Sequence, residues 1–329
     1  MEFEYRVADS DKEIVRLKRS SLGVPVCYCF DKNYALFTAV SSYSLHANSL
    51  IPPRIFWLVP ARDFDYCLDL LQSINKFGMD ITLIKLGSDH FSGWKGHSTT
   101  YYRLLLSNVL DLDKVIYIDS DTIVLDNLSE LFGFDVQDSL VAGVVDPGGH
   151  TSNIFHYFAD SEPYLNAGCL LMNLDLMRRS GFRDICTQVY KKFEAEINYG
   201  DQDILNLVAI GRKRVLGQEF CTLMQPNLVT ADQFTEIAEK SKIIHFVGEI
   251  KPWMQWCNPR AFDFYWSYAN KLGIKELTPF PMTDYMHLHR YANTLAISGD
   301  TEAAYRVEFH LCNLLLEKLG IVTPQVINS

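Results

Sequence analysis

The sequence predicts an α/β protein, a mostly parallel central sheet flanked by helices, followed by a C-terminal helical hairpin. Three observations carry that expectation. Short apolar runs alternate with helical periodicities from Val24 onward. Several of those runs end in a carboxylate, with Asp31, Asp119, Asp121 and Asp146 all at strand C-terminal ends, where ligands of parallel sheets gather. Residues 276–329 change character to two helical runs about a Ser298-Gly299-Asp300 turn.

Taken in order, residues 1–22 are mixed and charged and read as an N-terminal extension with no assigned role. Val24–Phe30 is the first strand, with Pro25 near its start, where a missing donor is tolerated. A polar turn, Asp31-Lys32-Asn33-Tyr34, leads into a helix over Ala35–Ala47. Arg54–Val59 is a strand, Phe64–Phe77 a helix and Asp80–Leu86 a third strand. Residues 88–98 form a polar, glycine-bearing loop, and Thr99-Thr100 caps a helix over Tyr101–Val109 that carries Arg103. Val115–Ile118 and Leu140–Val145 are buried strands, the second ending in the loop Asp146-Pro147-Gly148-Gly149. Tyr164–Leu174 is a long apolar segment with Asn166 and Gly168 near its start, the glycine suggesting close backbone approach. Helices follow near Gly181–Ile197 and Asp201–Ala209, then a strand over Ile243–Gly248. The hairpin comprises Thr283–Ile297 and Thr301–Leu319, the latter with Tyr305, Phe309, Cys312, Leu316 and Leu319 at helical spacing. Such a hairpin cannot bury its own apolar face, so it should pack on the main domain or on a second chain. The expected division is 1–22, 23–275 and 276–329.

Composition narrows the function. At 329 residues the chain can bury a large core. A formal net charge of −10, without a basic block, excludes nucleic acid as a polymeric partner but not a single nucleotide. The eight cysteines are scattered and include no C-x-x-C pair, so they read as reduced core residues of a cytosolic protein. The N-terminus lacks a secretory pattern, and no run is long enough to span a membrane.

Residues 114–129 carry the chemistry. Asp119 and Asp121 follow an apolar strand and point the same way along an extended chain, with Ser120 between them pointing elsewhere. Two converging carboxylates repel, and a divalent cation is the usual remedy. A bare Asp-x-Asp also suits a solvated strand end; the apolar strand in front favours the metal reading.

Asp31-Lys-Asn33-Tyr34, Arg103, Asp119-Ser-Asp121, Asp146, Asn166-Ala-Gly168, Asp201-Gln202-Asp203 and His245-x-x-Gly248-x-x-Lys251-Pro-Trp253, in that order, resemble the family-eight glycosyltransferases. These are retaining enzymes of the GT-A nucleotide-diphospho-sugar transferase fold, typified by bacterial lipopolysaccharide galactosyl- and glucosyltransferases. The resemblance covers roughly residues 24–270 and implies a hexosyltransferase that takes UDP-glucose or UDP-galactose to a glycan or glycolipid acceptor. It also implies that Asp119, Asp121 and His245 hold manganese, with magnesium the second choice. Asp31 and Asn33 match uridine- and ribose-contacting positions, and Tyr34 could stack there. Ser120, Gly248 and Lys251 join the donor site, Lys251 facing the β-phosphate. Arg103, Asp146, Asn166, Asp201 and Gln202 match positions holding the donor sugar or the acceptor hydroxyl. For a double displacement Gln202 is a poor nucleophile, with Asp201 or Asp203 as substitutes; a front-face reaction needs none and is preferred.

The chain departs from lipid-glycan members in ending with a near-neutral hairpin and Gly320–Ser329, where a basic amphipathic tail is common. Its expected place is the cytoplasm, with peripheral attachment at the inner membrane face the variant reading. A protein contact or dimer through the hairpin is a further expectation. Two other classes compete: a non-catalytic sugar-nucleotide-binding scaffold, and a haloacid-dehalogenase-type phosphatase, which also places Asp-x-Asp-x-Thr after an apolar strand.

Overall fold

The first central strand is built from residues that tolerate no water: Val26, Cys27 and Tyr28 are fully buried, so both faces of the strand must be covered. The computed structural model describes residues 3–9, 12–17, 22–87, 90–91, 93–96 and 99–319. Parts of the expected 88–98 loop and the tail 320–329 therefore lie outside the described residues. The strands in chain order are β1 (Phe3–Asp9), β2 (Lys12–Leu17), β3 (Pro25–Cys29), β4 (Arg54–Pro60), β5 (Asp80–Leu86), β6 (Lys114–Ile118), β7 (Thr122–Val124), β8 (Val141–Val145), β9 (Leu165–Asn173), β10 (Lys213–Val215), β11 (Thr222–Met224) and β12 (Ile243–Phe246).

The chain divides into two compact units. One comprises residues 1–222 and 241–245, the other residues 223–240 and 246–329. This differs from the expected boundary at 275/276. Within the second unit the helix Pro259–Leu272 packs on residues 223–240 through Phe264 and Phe234.

The first unit holds a nine-stranded sheet in the order β1-β2-β5-β4-β3-β6-β9-β8-β10. Its centre, β5-β4-β3-β6, is parallel, with Cys27 opposite Phe56 on one side and Tyr117 on the other. β9 runs antiparallel to both β6 and β8. From β3 the chain winds outward to β4 and β5, then crosses back to place β6 on the other side. The C-terminal ends of β3 and β6 thus flank the point where winding reverses, which opens a crevice for a ligand. Within the expected N-terminal extension, β1 and β2 form an antiparallel hairpin, and β2 pairs with β5, Ile14 opposite Ile84. Unpaired edge hydrogen-bonding groups are the physical reason such a segment is recruited.

The helix Ala35–Ala47 begins and ends as its sequence predicts. It lies on the β6–β7 segment through a polar seam: Thr38 donates to Ser120 Oγ (2.7 Å), Ser41 and Thr122 share a hydrogen bond (2.7 Å), and Ser44 accepts from Val124 N–H. The segment expected to be helical over Tyr101–Val109 is a 3-10 helix, Thr100–Leu105, followed by one α-turn, Leu106–Val109. Tight winding keeps Tyr101, Tyr102, Leu104 and Leu105 all buried, and Arg103 with them. β12 pairs antiparallel with the short β7, His245 opposite Thr122.

In the second unit Trp253 packs on Tyr265 (5.6 Å between ring centroids) and Phe234 on Phe264 (5.4 Å). Asn258 caps Pro259–Leu272 by accepting from Arg260 N–H (2.9 Å). The hairpin helices are Tyr285–Ser298 and Thr301–Lys318, with Gly299 left-handed (φ 99°) and Asp300 capping the second through Ala303 N–H. Within this unit His287 stacks on Trp256 (3.8 Å). Of the apolar stripe read from the sequence, Tyr305 is 70 % exposed and Cys312 is exposed, while Ala304 and Leu311 are the buried residues of that helix. The other seven cysteines are buried. Among the described residues no helix is long and apolar enough to cross a membrane.

Candidate active site

β6 ends at Ile118, and the next residues fan its side chains into the crevice. Asp119, Asp121 and His245 each offer a ligand atom, all within 4.8 Å of one another. His245 Nε2 lies 3.2 Å from Asp121 Oδ1 and 3.8 Å from Asp119 Oδ2. Its other nitrogen, Nδ1, faces the Cys221 sulfur at 4.0 Å. The three supply oxygen and nitrogen donors, a set suited to a hard or borderline divalent ion.

Gly168 explains how the three groups come so close. A Cβ at this residue would stand 2.1 Å from His245 Cε1 and 2.9 Å from Asp119 Oδ2. The imidazole and the carboxylate occupy the space of the missing side chain. The expected close approach at Gly168 is therefore met by protein atoms of the metal-type cluster.

Asp119 is held in place on its other side. Its Oδ1 accepts from Tyr117 Oη (2.5 Å) and from Arg103 Nη2 (3.0 Å). Arg103 is buried, lies over the Tyr117 ring at 4.3 Å and donates through Nη1 to Ala167 O. Its Nε is 2.7 Å from Asp201 Oδ2, an ion pair more than a directed hydrogen bond, because the Nε–H points at Thr100 O (3.0 Å). Burial alone would lower the Arg103 pKa, but Asp119 and Asp201 outweigh it and hold the guanidinium firmly protonated. Burial raises the Asp201 carboxyl to about 6 despite the opposing pull of Arg103.

A second cluster adjoins the first. Asp146 Oδ2 accepts from Asn166 Nδ2 (3.0 Å) and Gln202 Nε2 (3.1 Å). Gln202 Oε1 accepts from Ala167 N–H and Asn166 Oδ1 from Gly168 N–H, each at 2.9 Å. Asp201 and Gln202 open the helix Asp201–Val208, whose cap is Gly200; Asp201 is thus not the N-cap.

Asp203 does not belong with them. It is fully buried, and its carboxylate accepts from Ser152, Tyr164, Asn198 N–H and Tyr199 N–H at 2.6–2.9 Å. Every acceptor direction is in use, so the expectation that it could stand in as nucleophile is corrected: it braces the loop before its helix.

The crevice at the ends of β3 and β6 is a cavity of about 230 Å³ lined by Asp31, Asn33, Tyr34, Arg103, Asp119 and Asp121, among others. Asp31 accepts from Asn33 N–H (2.9 Å), fixing the turn, and Tyr34 is 42 % exposed. Ser120 lines the cavity, but its oxygen accepts from Thr38, which ties it to the helix behind. Gly248 and Lys251 follow His245 directly in the chain and belong to the second unit. There Gly248 is left-handed (φ 83°), and Lys251 Nζ donates to Phe246 O (2.5 Å). Sequence reasoning missed Tyr117, although it lies two residues before Asp119 in a strand and so shares its face.

Residues 25–257 match a family model described as glycosyl transferase family 8. Among relatives, the glycosyltransferase GlyA of Streptococcus pneumoniae serotype 4 is 25 % identical over 237 residues, which is 71 % of this chain and 32 % of that protein. The chain thus spans about a third of GlyA. The lipopolysaccharide 1,2-glucosyltransferase of Escherichia coli is 23 % identical over 295 residues, 82 % of this chain and 86 % of the other. A crystal structure of the galactosyltransferase LgtC with donor and acceptor sugar analogs matches with a TM-score of 0.66 at 24 % identity, over 76 % of this chain and 97 % of that one. This likeness shows the fold, the GT-A fold expected from the sequence.

Three outcomes test the geometry. Gly168→Ala should displace the His245 ring and weaken binding of whatever divalent cation the cluster takes by at least about 10–100-fold, the usual penalty for disturbing a ligand shell, in a calorimetric titration. Asp203→Ala should lower stability by roughly 3 kcal/mol, read from the urea midpoint, because it strands buried donors. Asp201, raised to about 6 when folded, binds its proton more tightly in the native state, so stability falls as pH rises through that value. A wild-type loss of about 2–3 kcal/mol between about pH 4 and pH 7, in excess of that in Asp201→Asn, is the expected difference.

Proposed function

The chain belongs to glycosyl transferase family 8, and from that premise we propose that it moves a hexose, glucose or galactose, from a UDP-sugar to a hydroxyl of a glycan acceptor with retention at the anomeric carbon. The observation that carries this reading is the convergence of Asp119, Asp121 and His245, which Gly168 permits by lacking a side chain. These three would hold manganese, favoured over magnesium by the imidazole donor, and the bound ion would offset charge on the diphosphate as a Lewis acid. The names of the lipopolysaccharide glucosyl- and galactosyltransferases that the chain resembles support a hexose as the transferred sugar and a bacterial surface glycan as acceptor. We place the reaction in the cytoplasm.

The remaining residues take roles by position. Asp31, Asn33 and Tyr34 close the end of β3 on the uridine and ribose, with the half-exposed Tyr34 ring available to stack. Ser120 shares that pocket, and Lys251 with the Gly248 backbone serves the β-phosphate. Arg103, Asp146, Asn166 and Gln202 bind and orient the donor sugar and the incoming hydroxyl. Leaving one such group unpaired costs about 1–3 kcal/mol, which is how a wrong sugar would be rejected.

Front-face displacement suits this arrangement better than a covalent intermediate. Asp203 has no free oxygen, Asp201 is buried against Arg103, and both ends of the Gln202 amide are engaged. The acceptor proton would then pass to the departing phosphate oxygen. A phosphatase would need Asp119 as a free nucleophile, whereas its carboxylate is committed to Tyr117, Arg103 and the His245 side.

The deciding experiment measures UDP release from UDP-glucose and UDP-galactose with and without manganese. Slow, manganese-dependent release is expected from one donor, reduced by about 10–100-fold or more in Asp121→Ala. No release from any common UDP-sugar, with acceptor extracts present, would sink the reading.

A further inference from the structure

Outside the site described above, the second unit contains a polar cavity of about 430 Å³, within the roughly 300–1,000 Å³ range of small-molecule sites. One wall is the loop bearing Gln225 and Asn227. The floor is the turn Gly248-Glu249-Ile250, and the opposite wall is the first hairpin helix, through Arg290, Asn293 and Ile297. The family match ends at residue 257, so this helical wall belongs to the part of the chain that the family model does not cover.

We propose that this cavity is a saccharide subsite, and that the hairpin helix thereby selects which glycan the enzyme extends. The proposal rests on the glycosyltransferase reading and adds to it the end of the acceptor remote from the reacting hydroxyl. Three features point to a neutral, hydroxyl-rich ligand. First, the lining is rich in carboxamides. Among the described residues the side chains of Gln225 and Asn227 make no hydrogen bond, and Asn293 makes one, with His289 (3.1 Å). Carboxamides donate and accept at once, as neighbouring sugar hydroxyls require.

Second, the charges cancel. Arg290 stands 3.6 Å from Glu249, a loose and exposed pair, so the cavity offers no net field to a phosphate or an acidic lipid. Third, apolar surface is present but small: Ile250, largely buried, and Ile297, 42 % exposed, suit the C–H face of one sugar ring and are too little for a hydrophobic peptide. The left-handed Gly248 keeps the floor low, with the Gln225 side chain resting 3.7 Å from where a Cβ would stand. Along the chain, the Gly248 floor follows His245 by three residues, so one short segment carries both a metal-type ligand and the floor of the cavity.

The test uses ligand-observed saturation-transfer NMR on the full chain. The probes are methyl glycosides and short oligosaccharides of glucose, galactose and N-acetylglucosamine. At least one probe should bind the wild type. Asn227→Ala and Asn293→Ala, both at the surface, should each weaken that binding about 3–10-fold, the value of one or two lost hydrogen bonds. Asn293→Trp, which fills the cavity, should abolish it. Manganese-dependent UDP release without acceptor should stay at the wild-type rate in all three variants. Probe binding that survives all three, or no probe binding at all, overturns the subsite. Failure of wild-type UDP release with sugar binding intact would instead overturn the transferase reading and leave the subsite standing.

Discussion

One buried guanidinium holds the candidate site together. Arg103 sits between Asp119 and Asp201, covers the Tyr117 ring and donates to the Ala167 carbonyl. Without it the buried Asp201 and the half-buried Asp119 would face each other, and removing one partner of a buried pair commonly costs about 3–5 kcal/mol. Its single charge does not balance the region, because Asp121 adds a third carboxylate and Asp31 lines the same crevice. The same electrostatics leaves the Asp119-Asp121-His245 corner suited to a metal, and Gly168 lets the His245 ring and the Asp119 carboxylate draw together there.

Much of this was legible in the chain because it was written locally. Asp31 and Asp119 each follow an apolar run, so strand and carboxylate could be read together, and the sheet brings those strand ends to the same crevice. The helix Ala35–Ala47 and the Gly299-Asp300 turn were readable for the same reason: periodicity, a left-handed glycine and a capping aspartate are all short-range signals. Tyr117 was also within reach, since strand alternation alone puts it beside Asp119.

What sequence could not separate depends on distant partners. Asp201 and Asp203 are both acids in the first turn of one helix, and nothing local distinguishes them. The fold does, by bringing Ser152 and Tyr164 to Asp203 from 51 and 39 residues away and Arg103 to Asp201. The last helix carries two interleaved apolar patterns, Ala304 with Leu311 and Tyr305 with Phe309 and Cys312. The fold buries Ala304 and Leu311 and leaves Tyr305, Phe309 and Cys312 outward. The short β1–β2 hairpin was unreadable because its pairing is set by the exposed edge of β5, not by its own pattern.

The polar residues around β9 have a structural task that comes before any chemistry. Pairing of β9 with β6 stops at Cys169 opposite Ile118, so the backbone groups of residues 166–168 lose their ladder partners. Buried backbone groups must be paired somewhere. Gln202 takes the Ala167 N–H, Asn166 the Gly168 N–H, Arg103 the Ala167 carbonyl and the Asp119 N–H the Gly168 carbonyl. The motif residues thus replace a strand with side chains, and each is fixed by the backbone it satisfies. A site assembled this way is ordered before any substrate arrives, the condition under which fixed dipoles stabilise developing charge most effectively. Asp146, gripping both Asn166 and Gln202 through one oxygen, locks the two replacements to each other.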